Sequence, residues 1–100
     1  MGGMMLLSRI FGFQRKVRKL RKTWDRLREK SLKKKNPIRE MALERLDAIE
    51  NHLRMLEEQK LSKIDRARIS KEVEIDLEEV KALLEMEPED IRHPAYTQKA

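Results

Sequence analysis

Between Leu6 and Leu27 the apolar side chains Leu6, Ile10, Phe13, Val17, Leu20, Trp24 and Leu27 recur in steps of 4, 3, 4, 3, 4 and 3. An α-helix turns once every 3.6 residues and a strand alternates every two, so this spacing lines one face of a helix and no face of a strand. It is the a/d seam of a heptad repeat, and the stripe is expected to be core, packing on another helix of the same chain. A second seam, Ala42, Leu46, Ile49, Leu53 and Leu56, steps 4, 3, 4, 3. Asn36-Pro37 falls between the two as a start signal, with Asn as the cap and Pro at the first helical position. One long helix ending around Leu32–Lys35 and a second from Pro37 to about Gln59 make an antiparallel hairpin the default expectation.

The charge is polarised along the chain. Residues 1–39 hold fourteen Lys and Arg against Asp25 and Glu29, a net of +12, whereas residues 40–100 hold ten against sixteen acids, a net of −6. Arg15, Lys16, Arg18, Lys19, Arg21, Lys22, Arg26, Arg28, Lys30, Lys33, Lys34 and Lys35 flank the first seam and fill the outer face of its helix. Such a density of cations attracts a polyanion, and release of condensed counterions supplies the affinity. Phosphate contacts position without specifying, so contact with a DNA or RNA backbone would be independent of sequence. Trp24 has the chemistry to stack on a base, but its place in the seam assigns it to the core. Before Gly12, the residues Met4, Met5, Leu6, Leu7, Ile10 and Phe11 cover nearly every side of a helix. Burial against a partner subunit, burial in an anionic membrane surface held by the following cations, and fraying all remain open for this segment.

Two shorter helices are expected next. Ser62-Lys63-Ile64-Asp65 and Asp76-Leu77-Glu78-Glu79 both have the form of a capping box, and Ile75 with Val80 forms a hydrophobic staple around the second. The first of these helices should run to about Val73, and the second should end before Pro88. The domain reading is therefore a basic amphipathic helix over 1–35, an acidic tri-helical unit over 36–87 and an extended tail over 88–100. The fold class is all-α.

Residues 62–86 resemble the helix-turn-helix family, through the stretch 66–84. Ser70 stands at the small-residue position of the first helix, Ile75 and Asp76 stand as the apolar residue and cap after the turn, and Val80 is the buried aliphatic four residues beyond the cap. The turn glycine of that family is Glu74 here. The resemblance implies a tri-helical unit over 37–87. Its second helix would expose Glu78, Glu79 and Glu85 against Lys81, and phosphates would repel it. That helix is therefore expected to meet protein rather than bases.

No catalytic chemistry is legible. The chain has no cysteine, which excludes disulfides and thiol catalysis and fits a reducing compartment. His52 and His93 have no metal-ligand partner at motif spacing, Ser8, Ser31, Ser62 and Ser70 lack a neighbouring base, and no glycine-rich phosphate cradle is present. A metal, a cofactor and an enzymatic role are not expected. No apolar run approaches the roughly 18–20 residues that span a bilayer, and Leu6 stands where a myristoylation pattern requires Ser or Thr. The expectation is a non-enzymatic helical scaffold in the cytoplasm, associated with nucleoid, ribosome or membrane. Its basic arm would contact nucleic acid backbone and its acidic half a protein partner, with homo- or hetero-oligomers formed through the seam. A peripheral membrane protein and a coiled-coil subunit of a larger assembly are the alternatives.

Overall fold

The computed structural model of the protein describes residues 2–58 and 60–86, with side chains from Gly12 onward. Among these residues the chain forms three helices and no strand: α1, Gly2–Leu32; α2, Ile38–Glu58; and α3, Lys63–Glu85. The chain is all-α, as its periodicity requires. The expected extended tail and His93 lie outside the described residues, as do the side chains of Leu6 and Ile10.

Both seams become core. Val17, Leu20, Trp24 and Leu27 of α1 are buried, Phe13 packs half-buried against them, and on α2 Ala42, Leu46, Ile49, Leu53 and Leu56 are each at most 2% exposed. Ile38 begins the α2 row one step earlier, and Ile69, Val73, Leu77, Val80, Leu83 and Leu84 of α3 complete a single cluster shared by all three helices. Each fully buried Leu, Ile or Val contributes on the order of 1.5–3 kcal/mol. The α1 row also continues past Leu27 to Ser31, which is fully buried because its hydroxyl donates to the Leu27 carbonyl at 2.7 Å. Ser70, 2% exposed, does the same toward Ala67 at 3.1 Å. A serine that bonds back into its own helix can occupy a core position without leaving an unpaired hydroxyl.

The helix boundaries follow the capping chemistry at two places and depart from it at a third. α1 stops at Leu32 in a tight turn, with Lys33 N donating to Lys30 O and Lys34 N to Ser31 O. α2 starts one residue after Pro37, across a cis Asn36–Pro37 bond, but the Asn36 amide donates to Glu40 Oε1 at 3.3 Å rather than accepting from a backbone N–H. Ser62 caps α3 as expected, its hydroxyl accepting from Asp65 N at 3.2 Å.

The expected pair of short helices is one continuous helix. No turn forms at Glu74-Ile75, and Asp76-Leu77-Glu78-Glu79 lies inside α3 instead of at its start. The buried row Ile69, Val73, Leu77, Val80, Leu84 steps 4, 4, 3, 4 straight through the supposed break. Neither Gly nor Pro interrupts it, so every backbone bond of the helix can be kept while the same face stays in the core. The staple is absent too: Ile75 is 50% exposed and Val80 fully buried, on opposite faces. The likeness to a helix-turn-helix unit keeps its side-chain spacing here without its turn.

Candidate polyanion-binding face

The basic positions divide into those diverted to the protein's own acids and those left facing outward. Arg21 is the clearest diversion. Its guanidinium donates to both oxygens of Glu57, at 2.7 and 3.0 Å, and to Glu50 Oε2 at 3.2 Å. Glu50 in turn accepts from Arg54 at 3.1 Å, one helical turn away on α2. The Arg21 carbon centre also sits 5.0 Å from the centroid of the Trp24 ring. Beneath it, the Trp24 indole N–H donates to the Leu46 carbonyl at 2.7 Å, and the residue is only 7% exposed. Passing from Arg21 to Trp24 along α1, the partners on α2 therefore run in reverse, from Glu57 and Glu50 to Leu46.

Lys16 is the second diversion, 3.1 Å from Glu74 on α3, and a further pair joins Arg45 of α2 to Glu79 of α3 at 2.9 Å. Each pair of helices thus has an ion pair across it. Such exposed pairs are each worth about 0–1 kcal/mol, so they fix register more than they stabilise. Arg28 lies over the α1–α2 groove beside Asp25, Glu29, Asp47 and Glu50. Arg66 stacks on Phe13, 5.1 Å from the ring centroid, and its Nε has no partner among the described residues.

The remaining cations form an outward row. Arg15, Lys19, Lys22, Arg26 and Lys30 are all exposed, step 4, 3, 4, 4 along α1, and stand opposite the buried row Val17, Leu20, Trp24, Leu27, Ser31. Five residues on a 3.6-residue turn at that spacing make a line about 22 Å long at 1.5 Å per residue. Exposed Arg18 flanks the line, and exposed Lys33, Lys34 and Lys35 extend it into the turn after α1. Among the described residues no acid forms a salt bridge with any of them. The acids of α1 are Asp25 and Glu29, both exposed.

The acidic half has its own surface feature. Glu74, Ile75, Glu78, Glu79 and Ala82 line a shallow depression of about 390 Å³ on the outer side of α3, and Ile75 among them is half-exposed. Asp76, at the edge of the α2–α3 seam, is held above the ordinary aspartate range. Desolvation is the first cause and the Glu79 and Glu72 charges add to it, against His52 and Arg45. Among the described residues no group of His, Cys, Asp or Glu could hold a metal ion, and no helix is long and apolar enough to cross a membrane.

Glu57 titrates in the opposite sense to Asp76. Its hydrogen bond to Arg21 is the main cause holding its carboxyl below the ordinary glutamate range. A depressed folded pKa contributes stability that is fully present above the ordinary glutamate pKa and is lost as the pH falls through the lowered value. Thermal midpoints followed by circular dichroism through the acid range should therefore fall more steeply for the native chain than for Arg21→Gln. The difference should amount to no more than about 1 kcal/mol, because the pair is exposed. Parallel curves would show that the pair carries no linkage.

The chain matches no family model, no curated protein and no solved structure. The sequence supplies the twelve cations but not the diversion of Arg21 and Lys16, because Glu50, Glu57 and Glu74 lie far from them along the chain. The one local hint was the step from Arg21 to Trp24, which places the arginine on the flank of the seam.

Proposed function

We propose that the protein is a non-catalytic helical adaptor that grips nucleic acid backbone through α1 without reading sequence, and meets a protein partner through its acidic half. The single observation that carries this reading is the outward row Arg15, Lys19, Lys22, Arg26 and Lys30. Among the described residues its cations form no salt bridge, whereas Lys16, Arg21 and Arg45 are each paired with an acid of another helix. In this reading α1 and α2 form an antiparallel hairpin, α3 supports it, and the depression around Ile75 is where a protein partner docks.

The test is fluorescence anisotropy of a labelled random-sequence duplex across a salt series. Neutralising about six phosphates gives a log–log slope near −5. Replacing Arg15, Lys19, Lys22 and Arg26 together by Gln removes four of those contacts, so the slope should become shallower by about 3 to 4. These side chains are exposed, so the helicity of the variant should be unchanged. Absence of binding at low salt would refute the reading.

A second reading, attachment to an anionic membrane surface, is favoured by one further feature. Arg18 and Gln14 lie beside Leu56 and Glu57 near the end of α2, and Phe13 lies beside Arg66 near the start of α3, yet α1 extends back to Gly2. The extension carries the apolar sequence Met4-Met5-Leu6-Leu7. Flotation with anionic vesicles that is abolished by deleting residues 1–13, together with an unchanged duplex affinity, would assign the two ligands to two parts of α1. A coiled-coil subunit of a larger assembly would instead show concentration-dependent helicity with neither ligand.

A further inference from the structure

The nature of the row on α1 narrows the nucleic acid it suits, and this inference rests on the backbone-binding reading above. Proteins that hold single strands combine cations with exposed aromatic rings, on which unpaired bases stack for about 1–3 kcal/mol each. The described aromatic rings of this chain are turned to other uses. Trp24 is 7% exposed, its N–H is bonded to Leu46 O, and Arg21 lies over its ring. Phe13 packs against the core under Arg66. Between Arg15 and Lys30 the exposed residues of α1 are Arg, Lys, Asp and Glu alone, and the one hydroxyl there, Thr23, donates to Lys19 O at 3.0 Å. Between Arg15 and Lys30 the face offers charge without a stacking platform.

Charge alone discriminates by the density of phosphates. A duplex carries one negative charge per about 1.7 Å of axis, and each neutralised phosphate contributes about 0.9 to its salt slope, against about 0.7 on a single strand. The shape points the same way. An α-helix about 10–12 Å across fits the major groove of B-form DNA, about 12 Å wide. A-form RNA presents a deep, narrow major groove that side chains do not enter. A cation line about 22 Å long, at 3.4 Å per base pair, covers about six or seven pairs.

We infer that the α1 face is a double-strand selective clamp: it engages the paired phosphate backbones of B-form DNA through Arg15, Lys19, Lys22, Arg26 and Lys30, with Arg18 at its flank, and discriminates against single strands because the stretch from Arg15 to Lys30 exposes no ring to stack on their bases. The site is short, covers less than one helical turn of DNA, and is indifferent to base sequence.

The experiment is a competition measured on the full chain. A labelled random-sequence DNA duplex is displaced by unlabelled DNA duplex, RNA duplex and mixed-sequence single-stranded DNA, matched in phosphate number and at one salt concentration. The expected result is that the DNA duplex competes at least tenfold better than the single strand and better than the RNA duplex. The Arg15/Lys19/Lys22/Arg26→Gln variant should lose the preference along with the affinity, and Lys71→Gln, an exposed cation on α3, should keep both. Single strands competing as well as duplex would overturn the selectivity while leaving backbone binding intact. RNA duplex competing best would overturn the B-form assignment. A labelled duplex that never binds would remove the underlying reading instead.

Discussion

Trp24→Ala is expected to lower the unfolding free energy by about 3–5 kcal/mol, the cost of emptying a large aromatic site in a core that collapses only in part. The ring is the largest side chain of the shared cluster and stands between α1 and α2. Its removal also leaves the Leu46 carbonyl without its second donor and the Arg21 guanidinium without the ring beneath it. Small domains hold only about 5–15 kcal/mol in all. Urea titration followed by far-ultraviolet circular dichroism should show the midpoint collapsing or the transition vanishing. Trp24→Phe separates the contributions: it keeps an aromatic ring in the site and loses the donor, so it should cost much less than the alanine. A Trp24→Ala midpoint equal to that of the native chain would mean that the indole is not a core element.

The second large effect concerns the continuity of α3. Ile75→Pro should cost about 3 kcal/mol or more, because proline in a helix interior removes one backbone hydrogen bond and its ring clashes with the carbonyl four residues back. Ile75→Ala should change stability by no more than about 0.5 kcal/mol, since Ile75 is half-exposed and outside the core cluster. The contrast isolates the backbone from the side chain. Were the chain to turn at Glu74-Ile75, a proline just before a cap at Asp76 would be tolerated, so near-equal stabilities of the two variants would restore the two-helix arrangement.

That contrast also marks where sequence reasoning reached and where it stopped. The rows in α1 and α2 were legible because a 3-and-4 alternation sustained over several turns fits no other regular structure. The α1–α2 boundary was legible from Asn36-Pro37 to within a residue, although Asn36 uses its side chain differently from a cap. Around Asp76 two signals conflicted. Asp-Leu-Glu-Glu is a good helix start, but acids on a solvent face satisfy the same pattern in mid-helix, and the unbroken row from Ile69 to Leu84 decides the matter. The burial of Ser31 and Ser70 was not legible because polarity hides their place in the periodicity: a step of four from Leu27 lands on Ser31. For the surface, the sequence supplied the cations but not their division into outward row and inward pairs. That division depends on contacts between helices, which periodicity does not encode.

The position of Trp24 has one last consequence, for spectroscopy. It is the sole indole in the chain, it is sealed between two helices, and it faces away from the cation row. Its emission therefore reports the closure of the α1–α2 interface and not the occupancy of the outer face. A polyanion that seats on a closed bundle leaves the emission maximum blue and unchanged. One that prises α1 off α2 to reach the seam shifts it red as water enters. The protein thus carries an intrinsic optical gauge that distinguishes docking onto a finished surface from docking by rearrangement.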